Sequence, residues 1–293
     1  MNRALIIERP RDIKVITLST DRGAALENWI YGATKLGYDI TILGLGEKWG
    51  GWPWRTKKYL EAVKALPSRS LILIVDGNDI LFVRGPNSLY EAYKSVGHPL
   101  VFGGEPTCCV GKFSATQFNG ERERAMKIID SRSPINRWKF PNAGCIMGPR
   151  EVLIQALEDI ENEIDDQAGH LGKYLENEQY LKIDWYHRIV GNVNRPSFFY
   201  CVDCSTGDNM NSIELEHWEK VNISTSDSIS TTLYRNKQTQ GIPCILHFAG
   251  KNIRGYNLLG AALYGSAFRP VTPNVPPSIG KSALLSISGL WKG

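Results

Sequence analysis

Five consecutive apolar residues, Leu71-Ile72-Leu73-Ile74-Val75, run directly into Asp76-Gly77-Asn78-Asp79 and then into a second apolar run, Ile80-Leu81-Phe82-Val83. A run that never alternates has no polar face, so as a strand it must be covered on both sides. That requirement favours a central strand of an open α/β sheet, where ligands gather at the carboxyl ends of the strands. Asp76 and Asp79 are then delivered to that end. Two carboxylates separated by a short Gly-containing turn suit a divalent cation, and a cation held there suits a diphosphate. The same residues also suit a hairpin, since Asp-Gly and Asn-Asp are good turn pairs between strands. On this segment alone both readings stand.

The flanking sequence favours the sheet. Ile13 to Thr17 and Asp39 to Leu43 are short β-rich runs, and between them Thr20 to Gly37 places Leu26, Trp29, Ile30, Ala33 and Leu36 at helical spacing. A strand, a helix and a strand in that space form a βαβ unit. Trp54 to Leu66 reads as a further helix, followed by the Leu71 strand. Helices are expected over Ser88 to Ser95, over Arg122 to Ile129, as a long amphipathic helix begun by Pro149, and over Lys173 to Tyr186. Strands are expected over Pro99 to Phe102, Ala143 to Gly148 and Ile242 to His247. The alternation predicts an α/β fold: a Rossmann-like single domain with a mostly parallel central sheet flanked by helices. The domain is expected over residues 1–268, and the Pro- and Ser-rich segment 269–293 is expected to be a tail.

Composition bounds the partners. A net charge of +4 over 293 residues, with no strong run of Lys or Arg, gives no sign of a nucleic-acid partner. No stretch approaches the ~18 apolar residues of a membrane span, and the first ten residues lack a signal-peptide core. The expectation is a cytoplasmic protein. Six cysteines include Cys201 and Cys204 at C-x-x-C spacing, but no second pair completes a zinc site, and all six are read as free thiols.

His247, at the end of the last predicted strand, is a natural third ligand for a cation held by Asp76 and Asp79; it also reads as an ordinary strand-end histidine. Gly250 and Lys251 follow it, where a backbone turn and an ammonium can meet phosphate oxygens. Trp49, Trp52 and Trp54 crowd a Gly-rich loop and suit either a sugar-lined cleft or the core. A general base has two candidates, Glu178 and then Asp208, with Glu178 also reading as a ligand of substrate hydroxyls or as a surface residue.

Six segments occur in a telling order: Ile42-Leu-Gly-Leu-Gly-Glu-Lys-Trp49, Lys58, Ile74 to Phe82, Pro141-Asn-Ala-Gly-Cys-Ile-Met-Gly148, Asn177-Glu-Gln-Tyr180 and Pro243 to Gly250. Over roughly residues 12 to 260 the chain resembles the glycosyltransferase domain of procollagen lysyl hydroxylases and related collagen-type glycosyltransferases. The resemblance implies a GT-A fold, a UDP-sugar donor and Mn²⁺ (or Mg²⁺), with Asp76, Asp79 and His247 as ligands. It implies nucleotide contacts from Thr17 and Ser19, a diphosphate contact from Lys58, and a sugar-side site at Asn177, Glu178 and Gln179, matching an acidic pair before Gln in the family.

The chain departs from the family at several points. Asn78 replaces an aromatic residue that would stack on the base, the acidic pair keeps only one acid, Phe-Ala replaces Gly-Asn after His247, and the acceptor-side loop Glu105 to Cys109 lacks its aromatic residue. Acceptors implied are a protein-linked glycan or a hydroxylated side chain, and donors UDP-glucose, UDP-galactose or UDP-xylose. Stand-alone viral relatives would work in the host cytoplasm. A catalytically silent nucleotide-sugar or glycan-binding module and a nucleotidyltransferase remain as alternative classes on the same acids.

Overall fold

The computed structural model describes residues 13–106, 120–135, 137–193, 217–223, 225–249 and 252–272. The Leu71 run is the strand β3 (Leu71–Val75), buried along its whole length. It lies at the centre of a six-stranded sheet with β1 (Ile13–Leu18), β2 (Asp39–Leu43), β5 (Val101–Glu105), β6 (Phe140–Pro149) and β7 (Lys182–Asp184), in the order β2-β1-β3-β6-β5-β7. Strands β1/β2, β1/β3 and β5/β7 pair in parallel, whereas β6 runs antiparallel between β3 and β5. The remaining strands, β4 (Ile80–Phe82), β8 (Val190–Asn192), β9 (Trp218–Asn222), β10 (Thr232–Asn236) and β11 (Ile245–His247), form a β4-β11-β8 sheet and a β9/β10 hairpin.

The absence of alternation in β3 has the expected cause. Ile72 and Ile74 face one apolar cluster, built with α2 (Trp52–Ala65), α4 (Gly120–Arg132), α5 (Arg150–Glu158) and α6 (Asp166–Glu176). Leu71, Leu73 and Val75 face the other, built with α1 (Ala24–Lys35), α3 (Pro86–Val96) and one face of β4. Leu81 and Val83 point away from it into a third cluster under α7 (Ile253–Tyr264). Asp76-Gly77-Asn78-Asp79 is therefore no hairpin. β3 and β4 belong to different sheets, and β4 pairs antiparallel with β11.

Two helix boundaries differ from expectation. The helix predicted over Lys173 to Tyr186 begins and ends earlier, because the Asp165 carboxylate caps it by accepting from Ala168 N at 2.9 Å, and Leu181 onward turns into β7. The helix after Pro149 is only 9 residues long. At the carboxyl end, Asn28 and Asn257 each bind the backbone N–H and C=O of a single residue, Arg269 and Val271, at 2.7–2.8 Å. Residues 269–272 are thus tied to the domain, and 273–293 lie outside the described residues. Among the described residues no helix is long and apolar enough to cross a membrane. Cys145 and Cys244 are buried free thiols, and the other four cysteines lie outside the described residues.

Candidate metal centre and its surroundings

Parallel strands place their carboxyl ends on one edge of the sheet, and three segments converge there. Asp76 follows β3, Asp79 precedes β4, and His247 ends β11, opposite Ile80 in the ladder. Their ligand atoms all lie within 4.8 Å of one another. His247 Nε2 is 3.4 Å from Asp79 Oδ2 and 3.7 Å from Asp76 Oδ2. The backbone locks the arrangement: Asp76 N–H donates to Gly144 O, and Phe248 N–H donates to Asp79 O.

The donor set fits a divalent cation of the Mn²⁺ or Mg²⁺ kind, with two carboxylates and one imidazole. Asp79 Oδ1 and His247 Nδ1 are buried without a protein partner. Burial alone would push His247 down, but Asp79, Asp76 and Glu105 outweigh it and hold the imidazole up to about 9. Burial raises Asp76, with Asp79 adding to that and Arg55 opposing it. The carboxylates around His247 therefore favour positive charge at this point.

Gly144 on β6 makes the close approach possible. A Cβ there would lie 2.5 Å from Asp76 Oδ2, 2.6 Å from His247 Cε1 and 2.8 Å from Asn142 Oδ1. Gly77 does the same on the other side, where a Cβ would sit 2.9 Å from the buried Thr17 hydroxyl. Ser19 and Asn78 meet just after β1: Ser19 Oγ donates to Asp21 O at 2.9 Å and lies 3.5 Å from Asn78 Oδ1.

Around the triad lies a polar ring that the residue pattern alone did not single out. Arg55, in the first turn of α2, donates from Nη1 to Asp76 Oδ1 and from Nε to Asp166 Oδ2, both at 3.1 Å. Asp166 Oδ1 accepts from Gln167 N–H at 2.8 Å. Gln167 Nε2 and Asn142 Nδ2 both donate to Glu105 Oε2, at 3.1 and 2.9 Å. Asn142 returns to the triad by accepting from Gly144 N–H at 2.8 Å. Burial pushes the Glu105 carboxyl up, against the pull of its Asn142 bond. The signal for half of this ring was present: Asp165-Asp166-Gln167 is an intact acidic pair before Gln.

Asn177 and Glu178, read from sequence as that pair, stand elsewhere. They precede β7, whose Lys182 pairs with the first residue of β5, so they occupy the amino-terminal edge of the sheet, opposite the triad. Glu178 is half exposed, 4.0 Å from Arg132 Nε, and lines a shallow pocket with His98, Tyr174, Gln179 and Lys182. Lys58 lies one turn beyond Arg55, its ammonium 2.7 Å from Glu47 and 5.7 Å from the Trp54 ring centroid. Trp49 and Trp52 are exposed and pack edge to face at 5.1 Å, while Trp54 joins the core. Asp208, Gly250 and Lys251 lie outside the described residues.

Comparison with known proteins finds relatives of part of the chain. The multifunctional procollagen lysine hydroxylase and glycosyltransferase of Caenorhabditis elegans is 26% identical over 204 residues, covering 62% of this chain and 26% of that protein. Procollagen-lysine,2-oxoglutarate 5-dioxygenase of Drosophila melanogaster is 24% identical over 196 residues, with the same coverage of 62% and 26%. The chain thus spans 26% of the length of these curated relatives. Among solved structures, 4-diphosphocytidyl-2C-methyl-D-erythritol synthase from Anaerococcus prevotii superposes with a TM-score of 0.35 at 13% identity, over 62% of this chain and 89% of that one. A glycosyltransferase involved in glycosylation of the major capsid of PBCV-1 gives 0.30 at 13% identity, over 52% and 67%. Residues 9–263 match the family model described as the PLOD GT domain, and the chain belongs to that family of glycosyltransferase domains.

Proposed function

We propose that the chain is a metal-dependent glycosyltransferase that moves a sugar from a UDP-sugar to a hydroxyl of a protein-linked glycan or a hydroxylated side chain. The convergence of Asp76, Asp79 and His247 at the strand ends carries this reading. A divalent cation bound there would supply Lewis-acid stabilisation of the charge that develops on the departing diphosphate. Asp76, Asp79 and His247 would hold it. Thr17, Ser19 and Asn78 take the nucleotide side, with the exposed indole of Trp49 in the loop after β2. Lys58, which is paired with Glu47, is the diphosphate contact, and Gly250 and Lys251 follow His247 by three and four residues in the sequence. The carboxylates of Asp166 and Glu105 take the sugar and acceptor side in place of Glu178, because they stand on the triad's edge of the sheet. Donor candidates are UDP-glucose, UDP-galactose and UDP-xylose.

The test is a panel of UDP-sugars with Mn²⁺, following UDP release and sugar transfer for the wild-type chain and Asp76→Ala. The expected result is turnover with one or more donors that is lost in EDTA and in the variant. Full activity in EDTA, or in folded Asp76→Ala, refutes the metal-dependent mechanism, and nucleotide binding without release or transfer identifies a silent module instead.

A further inference from the structure

We propose that Arg55 is a positioning residue that fixes which oxygen of Asp76 is offered to the cation and ties that ligand to Asp166. The proposal rests on the reading of Asp76, Asp79 and His247 as metal ligands. Arg55 is buried, at 8% exposure. Its guanidinium binds two carboxylates from different elements: Asp76 after β3 through Nη1, and Asp166 at the start of α6 through Nε and Nη2. The Trp52 indole covers it, 4.4 Å from guanidinium carbon to ring centroid. A buried cation of this kind is stable only because its partners compensate the lost hydration, so the pair of acids and the arginine form one unit.

The atoms used give the unit its consequence. Arg55 takes Asp76 Oδ1, which leaves Oδ2 as the oxygen beside His247 Nε2, at 3.7 Å. Asp76 is thereby set as a one-oxygen ligand. On the other side Arg55 takes Asp166 Oδ2, and the Gln167 N–H takes Oδ1, so the Asp166 carboxylate cannot rotate freely. A planar guanidinium with forked donors can hold both acids at once, whereas an ammonium has no such fixed fork. Partners of metal ligands typically contribute ten- to a hundredfold to metal affinity by such orientation.

Two variants separate this from a role in folding alone. Arg55→Lys keeps the charge and loses the fork. Asp166→Asn weakens the hold on Arg55 without altering any proposed ligand. Mn²⁺ affinity is measured by electron paramagnetic resonance titration without nucleotide, alongside thermal unfolding. The expected result is an Mn²⁺ affinity at least about tenfold weaker in both variants at a temperature where each is folded. Folded Arg55→Lys or Asp166→Asn with affinity within twofold of wild type overturns the proposal, whatever happens to the unfolding temperature. If Arg55→Lys does not fold, Asp166→Asn decides alone. A wild-type chain that binds no Mn²⁺ overturns the metal reading itself, a result distinct from wild-type binding that both variants share.

Discussion

Replacing Gly144 with alanine tests the geometry of the candidate centre with a single methyl group. The new Cβ would stand 2.5 Å from Asp76 Oδ2, 2.6 Å from His247 Cε1 and 2.8 Å from Asn142 Oδ1, all inside the 3.0 Å that real Cβ atoms respect. None of the three is free to swing aside. Arg55 holds the other oxygen of Asp76, β11 holds His247 within its sheet, and Asn142 is bound to Glu105. Merely restoring 3.0 Å moves Asp76 Oδ2 by about 0.5 Å, beyond the ~0.2 Å within which metal–ligand distances are held. Overpacking of this kind costs about 1–3 kcal/mol, which for a chain of this size lowers the unfolding temperature by a few degrees. The functional loss should be far larger: Mn²⁺ affinity weaker by at least about tenfold, and transfer reduced with it. Calorimetric or resonance titration with Mn²⁺, paired with thermal unfolding, reads both quantities. A Gly144→Ala chain that binds Mn²⁺ like wild type would show that the three side chains do not share one cation, because the methyl group occupies the space between them.

Two further substitutions probe the surroundings. Glu178→Gln should leave turnover and donor affinity within about twofold of wild type, as for an ordinary surface change; a loss near a hundredfold, the size of a general-base effect, would contradict its placement at the far edge of the sheet. His187 is buried between the Trp138 and Trp218 rings and bonded to Asn236, and burial pushes it down to about 3, as it pushes His170 down to about 4. The unfolded chain therefore takes up these protons near pH 6.5, before the folded chain does, and the two histidines favour unfolding increasingly as pH falls from there towards 4, by about 1.4 kcal/mol per pH unit for each. His187→Gln should be less stable at pH 7 yet lose less on acidification to pH 4. Parallel pH profiles of unfolding for the two proteins would refute this.

The central strand was legible because its physics is local: five apolar residues in a row demand cover on both faces, and β3 has it. The acids after it were legible for the same reason, since a strand fixes where its last residue points. What the sequence hid is the ring that orients them. In the sequence Arg55 is one more charge beside Lys57 and Lys58; only the approach of α2 and α6 over the end of β3 buries it between Asp76 and Asp166. The distance of Asn177 and Glu178 from the triad has a sharper cause. Asp165-Asp166-Gln167 and Asn177-Glu178-Gln179 bracket the same helix, so choosing between them is a choice of helix end. Because α6 spans its 11 residues from one edge of the sheet to the other before β7 begins, its carboxyl-terminal end places Glu178 across the domain from Asp76. The Asp165 cap distinguishes the two: a side chain that accepts from Ala168 N–H starts a helix. Only the pair at that start shares an edge with Asp76. The helix boundary, more than the match of residue types, therefore decides which carboxylate stands on the edge of Asp76.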